Sequence, residues 1–152
     1  PKAIVSDIGG FTADYLSLRY GAADWASCDS LENGIITLYN RLLSKIRADY
    51  DLLLEETDID AILTGRSTEY GSEIQALVER GAESFVADLF RTLRERKIEL
   101  RTGKVIFVGG GSLLLRKQIE NSGKIGTAIF VEEISANAAG YGLLYAATKT
   151  NR

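Results

Sequence analysis

Two short stretches of this 152-residue chain bring together residue types that could hold an anion. In the first, the apolar run Ala3-Ile4-Val5 continues to a carboxylate, Asp7, and leads into Gly9-Gly10-Phe11-Thr12-Ala13-Asp14. Glycines reach backbone angles closed to other residues and let a ligand approach the main chain, so a turn of this kind can aim several N–H groups at one phosphate-sized anion. Thr12 adds a hydroxyl, and Asp7 and Asp14 add charge. Two carboxylates about 5 Å apart at an effective dielectric near 20 would repel by roughly 3 kcal/mol, a cost that a bound divalent cation would remove. A plain hairpin with both acids on its solvated rim is the competing reading, and this segment alone does not choose between them. In the second stretch, Lys104-Val105-Ile106-Phe107-Val108 runs into Gly109-Gly110-Gly111-Ser112, and Leu113, Leu114 and Leu115 follow. Strand, glycine loop and helix in that order present backbone N–H groups and a helix N-terminus to a phosphate or a sugar. Three glycines can equally serve as a tight connection.

The elements that must position these stretches follow from hydrophobic period. Ala3 to Val5 and Val105 to Val108 are continuous apolar runs of the kind buried on both faces of a sheet. Tyr15-Leu16-Ser17-Leu18-Arg19 alternates as a strand with one buried face, Gly21-Ala22 supplies a hairpin turn, and 23–28 can return as a third strand, giving an antiparallel meander. Asn33-Gly34 then offers a capping residue ahead of Ile35, Leu38, Tyr39, Leu42, Leu43, Ile46 and Tyr50, whose three- and four-residue spacing predicts an amphipathic helix. Asp58 to Leu63 reads as a short helix or strand. Ser72 and Gln75 have capping-box spacing before a long stripe from Ile74 to Leu93, in which Gly81 marks either a close helix crossing or a break. Glu95 to Arg101 reads as a solvated helix end, 128–131 as a final strand, and 136–147 as a helix of small residues. The whole predicts an α/β fold: a mixed sheet with an antiparallel three-strand meander followed by parallel strands, helices on both faces, and a helical insertion. Residues 1–48 and 102–152 would form the main unit and 49–101 the insertion.

Composition removes several classes of function. With no histidine and the single cysteine Cys28, a zinc site of the usual ligand types and an intrachain disulfide are excluded. Eighteen basic and twenty-one acidic residues, spread without long blocks, give no footprint for direct nucleic-acid binding. The longest apolar runs are far too short to span a bilayer, and the expected home is a reducing cytoplasm with no membrane contact. The start at Pro1, the lack of methionine and the immediate entry into a core-quality strand suggest a piece cut from a longer protein.

Taken together, Asp7-Ile8-Gly9-Gly10-x-Thr12-x-Asp14, a meander, an amphipathic helix, a helical insertion, Val108-Gly109-Gly110-Gly111 and finally Ala136-Asn137-Ala138-x-Gly140-Tyr141 resemble the second half of the actin, Hsp70 and sugar-kinase superfamily. The order is most similar to plasmid-segregation actins of the ParM/StbA type. That resemblance implies a ribonuclease-H-like fold that binds ATP or ADP with Mg²⁺. It places Asp7 at the cation, through water, and the N–H groups of Gly9, Gly10 and Phe11 with the Thr12 side chain at the β- and γ-phosphates. It makes Asp14 a candidate for orienting the attacking water. Gly34 would lie near the adenosine, Gly109, Gly110 and Gly111 would form the adenosine-side loop, and Ser112 and Leu113 would sit beside base or sugar. Asn137, Gly140 and Tyr141 would belong to an interdomain hinge. The family's first phosphate loop and its water-positioning Glu or Gln have no counterpart here, so half a site should turn over poorly, because phosphoryl transfer depends on groups on several sides of the γ-phosphate. The implied parent is a filament-forming ATPase that self-associates and reaches DNA only through an adaptor. The other classes are a non-filament kinase of the same superfamily and a nucleotide-independent interaction domain. The residues do not separate ATP from GTP, nor identify an adenine-facing group among Glu55, Glu56 and Arg66.

Overall fold

The computed structural model describes residues 2–66 and 69–132. Its first three strands, β1 (Lys2–Ile8), β2 (Ala13–Arg19) and β3 (Ala22–Leu31), form the expected antiparallel meander. Tyr20 and Gly21, with φ of 54° and 80°, make the two-residue turn between β2 and β3, since positive φ at both central positions matches the twist of paired strands. β4 (Lys104–Val108) pairs parallel with β1, and β5 (Thr127–Phe130) pairs parallel with β4, so the five described strands run in the order β3-β2-β1-β4-β5. β3 is longer than its sequence pattern suggests. Its ladder breaks between Leu16 and Ser17, where Trp25, Ala26 and Ser27 bulge out of the edge strand.

Alternation along each strand sorts the sheet into two buried faces. Ile4, Ile8, Tyr15, Val105 and Phe107 face a helical layer and share its core, while Ala3, Val5, Leu16, Leu18, Ile106 and Val108 form a second buried cluster on the other face. The helical layer contains α1 (Ile35–Tyr50), α2 (Glu56–Leu63) and α3 (Ser72–Glu95), with α4 (Gly110–Leu114) and α5 (Arg116–Asn121) after β4. Leu38, Leu42 and Ile46 of α1, Ile59 of α2, and Val78, Phe85 and Phe90 of α3 all belong to the core shared with the sheet.

Gly81 belongs to a crossing. α3 runs unbroken through it, and a Cβ built there would lie 2.4 Å from Leu42 Cδ2, so the missing side chain is what lets α1 and α3 close up. The 58–63 segment is helical, opened by a capping box in which the Glu55 and Asp58 side chains take each other's backbone N–H. Two capping expectations are corrected. Gly71, and not Ser72, caps α3, with the Gln75 amide turned back to the Tyr70 carbonyl. At α1 the cap is Gly34 with no side-chain hydrogen bond, because main-chain carbonyls do that work instead. The helix expected after the second glycine loop is two short ones, α4 and α5, divided at Leu115. The helix expected at 136–147, with the hinge residues Asn137, Gly140 and Tyr141, lies outside the described residues.

Candidate functional site

The parallel pairing of β1 with β4 sets Asp7 opposite Val108, so the two glycine stretches leave the carboxyl ends of adjacent strands side by side. In open α/β sheets that end is where ligands bind. The contact between the stretches is intimate: a Cβ on Gly109 would sit 2.3 Å from Asp7 Oδ1, and one on Gly111 would sit 2.6 Å from the Ile8 carbonyl oxygen. Gly109 also takes φ 87° and ψ 157°, a region essentially reserved for glycine. Gly9, Gly10, Gly110 and Gly111 line one cleft of about 330 Å³, completed by Ile35, Tyr39, Asp60 and Leu114.

The first loop is held from below by α1. Gly34, Ile35 and Ile36 donate their N–H groups to the carbonyls of Phe11, Gly9 and Gly10 at 3.2, 2.9 and 2.9 Å. Helix starts leave such amides unpaired, and here the loop's carbonyls satisfy them. With its carbonyls turned toward the helix, the loop has the amides of Gly10 and Phe11 left to offer a ligand, and neither donates to a backbone carbonyl among the described residues. Phe11 itself projects, 79% exposed.

Three expected roles change with this geometry. The Gly9 amide donates to the Thr12 carbonyl at 2.9 Å, closing the turn, and is therefore already engaged. Gly34 serves the loop: a Cβ there would be 2.3 Å from the Gly10 oxygen and 2.5 Å from the Phe11 carbonyl carbon, so its ligand-side place is filled by main chain. Ser112 is fully buried, and its hydroxyl donates to the Val108 carbonyl at 2.5 Å, which keeps it away from any base or sugar. Leu113 borders a neighbouring cleft of about 410 Å³ with Leu63, Thr64, Gly65 and Arg116, and Leu114 lines both clefts.

Asp7 and Asp14 are direct cross-strand partners, a relation that brings side chains on one face to about 5 Å. Both lie on the sheet face opposite the helical layer. Asp7 is half-buried; Asp14 is exposed and accepts the Ser30 hydroxyl at 2.5 Å. No group of three or more Cys, Asp or Glu side chains suited to a metal occurs among the described residues. One or two carboxylates fit a cation that keeps most of its water and leans on phosphate oxygens, as Mg²⁺ does.

Sequence reasoning missed Tyr39 and Asp60. Tyr39 reads as a core position of α1, and its ring is buried, but its hydroxyl donates to Asp60 Oδ1 at the cleft wall. Burial, and then the Asp60 carboxylate, push the Tyr39 phenol well above its ordinary range. A carboxylate on one face of α2 opposite a tyrosine on α1 carries no local motif, so only packing brings the pair together.

Among solved structures, the fold matches Ta0583, an archaeal actin homolog, at 19% identity and TM-score 0.60, over 99% of this chain and 49% of that one. It matches Bacillus thuringiensis ParM with ATP at 15% identity and TM-score 0.60, over 99% and 47%. It also matches the Alp12 filament structure at 20% identity and TM-score 0.64, over 100% and 48%. The chain thus spans about half the length of these proteins. A search of curated protein sequences finds no match. No helix among the described residues is long and apolar enough to cross a membrane. The family model for the C-terminal domain of the archaeal MreB-like actin homologues matches residues 5–121, from β1 through α5, and with both glycine loops inside that span the chain belongs to this family.

Proposed function

We propose that the chain is the nucleotide-binding second half of an actin-like ATPase that assembles into filaments. One observation carries the reading: two glycine loops, about a hundred residues apart in sequence, leave neighbouring parallel strands and share one cleft. The amides of Gly10 and Phe11, with the Thr12 hydroxyl, would meet the phosphates. Gly110 and Gly111 would flank the sugar, with Asp60 as an acceptor for its hydroxyls. The neighbouring cleft between Leu63, Thr64 and Leu113 would take the base. Asp7 would hold Mg²⁺ through water, and Asp14 would face the attacking water. Bound Mg²⁺ would neutralise charge building on the transferred phosphoryl group. The residues of 1–48 and 102–152 would form the ribonuclease-H-like unit, with 49–101 inserted, and the other half of the site would come from a preceding domain of the parent protein.

Support for nucleotide and filament comes from the company the fold keeps, which includes ParM structures with ATP, ADP and AMPPNP and the Alp12 filament. The cargo we propose, plasmid or other mobile DNA held through an adaptor protein, rests on the likeness to ParM. The proposed setting is the cytoplasm. Isothermal titration with Mg·ATP, before and after Asp7→Ala, tests the site. Binding should weaken at least tenfold in the variant and lose its dependence on Mg²⁺, and unchanged binding would remove Asp7 from the site.

A further inference from the structure

A groove of about 550 Å³ runs between α3 and α5 and shares no lining residue with the glycine cleft. Glu79, Glu83 and Ala87 recur every four residues and so form one stripe of α3 along it. Lys117 and Asn121 of α5 line the other wall, with Ser122 and Lys124 just past the helix end.

Gln118 also lines the groove and is only 4% exposed. Its Nε2 donates to Glu79 Oε2 at 2.9 Å, tying the two helices together. A carboxylate only accepts, so this contact fixes which end of the amide is nitrogen. It leaves Gln118 Oε1 buried with no donor. Buried acceptors are satisfied in the great majority of cases, and a lone one marks a place where a donor from outside the chain would be favourable.

The charged walls do not neutralise each other. Glu79, Glu83, Lys117 and Lys124 take part in no ion pair among the described residues. Two carboxylates one turn apart on a helix repel, and the ammoniums opposite do not close on them. A ligand that is only an anion would meet Glu79 and Glu83; a divalent cation or a polyamine would meet Lys117 and Lys124. A molecule with one charge of each sign meets neither objection, provided the charges are far enough apart. The axes of packed helices lie about 8–10 Å from each other. Walls on two helices therefore ask for charges several bonds apart, which excludes an α-amino acid such as glycine, whose charges sit on neighbouring carbons.

We infer that this groove binds a small zwitterion of the ω-amino acid class. Its ammonium would sit between Glu79 and Glu83 and donate to Gln118 Oε1, which reaches it by a turn of the terminal amide about its soft last torsion. Its carboxylate would meet Lys117 and Lys124, and its methylenes would lie on Ala87 and the lysine stems. The site stands apart from the nucleotide reading: Glu79 and Lys117 also border the cleft proposed for the base, but Glu83, Gln118 and Lys124 border neither that cleft nor the glycine cleft.

Amide NMR titration of the 152-residue chain at low ionic strength, where exposed charges are least screened, tests the site. The probes are ε-aminocaproate, its two halves hexylammonium and caproate, and glycine. ε-Aminocaproate should shift the amides of 79–87 and 117–124 and bind at least tenfold more tightly than any of the other three. Glu83→Gln and Lys124→Gln should each weaken it at least fivefold, with circular dichroism confirming the fold. Gln118→Leu should weaken it at least tenfold while urea unfolding shows the unliganded chain no less stable, because the change removes an unpaired acceptor together with one hydrogen bond to a half-buried acid. A glutamine that only ties α5 to α3 would do the opposite, losing stability and keeping the ligand, and that result would overturn the site. So would no binding at millimolar ε-aminocaproate, binding no tighter than that of its halves, or variants that hold it as well as the native chain.

Discussion

Gly109 and Gly110 are neighbours in sequence that should respond oppositely to the same substitution. At Gly109 an alanine would have to hold φ 87° and ψ 157°, which costs a non-glycine residue about 1–3 kcal/mol. Its Cβ would also lie 2.3 Å from Asp7 Oδ1 and 2.9 Å from the Ile8 carbonyl oxygen, and forcing extra volume into a packed place costs about 1–3 kcal/mol more. The carboxylate could swing aside; the β1 main chain cannot, being hydrogen-bonded to β2 and β4. A loss of about 4 kcal/mol is expected, or a fall in Tm on the order of 10 °C for a chain of this size. At Gly110, the first residue of α4, nothing lies within 4 Å of a built Cβ and φ is not positive. Alanine there removes freedom from the unfolded chain and should stabilise by about 0.4–1 kcal/mol. Urea unfolding of the native chain and the two variants, fitted with a common m-value, gives the comparison. A Gly109→Ala variant within about 1 kcal/mol of Gly110→Ala would show that the two loops do not press together as described, and the shared cleft would go with them.

Two other substitutions probe the packing behind the site. Gly81→Ala should lower stability by no more than about 2 kcal/mol, since overpacking against Leu42 is partly offset by about 1 kcal/mol of helix propensity; in a Leu42→Ala background the same change should stabilise, and urea unfolding of the four proteins reads the coupling. Tyr39→Phe removes the hydrogen bond to Asp60 and should cost about 1 kcal/mol near neutral pH. The folded chain holds the Tyr39 proton above the pH at which the unfolded chain releases it. The native protein should therefore lose stability as pH rises past about 10, and the variant should lose less over the same interval. Parallel curves for the two proteins between pH 9 and 11 would refute the assignment.

What the sequence determined by itself was local. Continuous apolar runs at Ala3–Val5 and Val105–Val108, alternation at Tyr15–Arg19, and three- and four-residue spacing through Ile35–Ile46 and Ile74–Leu93 are enough to specify buried strands, a half-buried strand and two amphipathic helices. Glycine pairs and triplets mark where backbone freedom is needed, because no side chain replaces that freedom. The order of these features was enough to suggest the actin-like fold that the solved structures share.

The tertiary structure decided which of those residues line the cleft and which hold the loop beside it. Gly9, Gly34 and Ser112 look like site residues in sequence, yet each spends its hydrogen bonds or its space on neighbouring main chain. Tyr39 and Asp60 look like a core residue and a solvated acid, yet they meet at the cleft. A residue type states what a side chain or amide can do. Whether that capacity is free depends on partners brought in from far along the chain, by the parallel pairing of β1 with β4 and by the crossing of α1 over α3 at Gly81. Long-range packing of that kind leaves no local periodicity for a sequence to display.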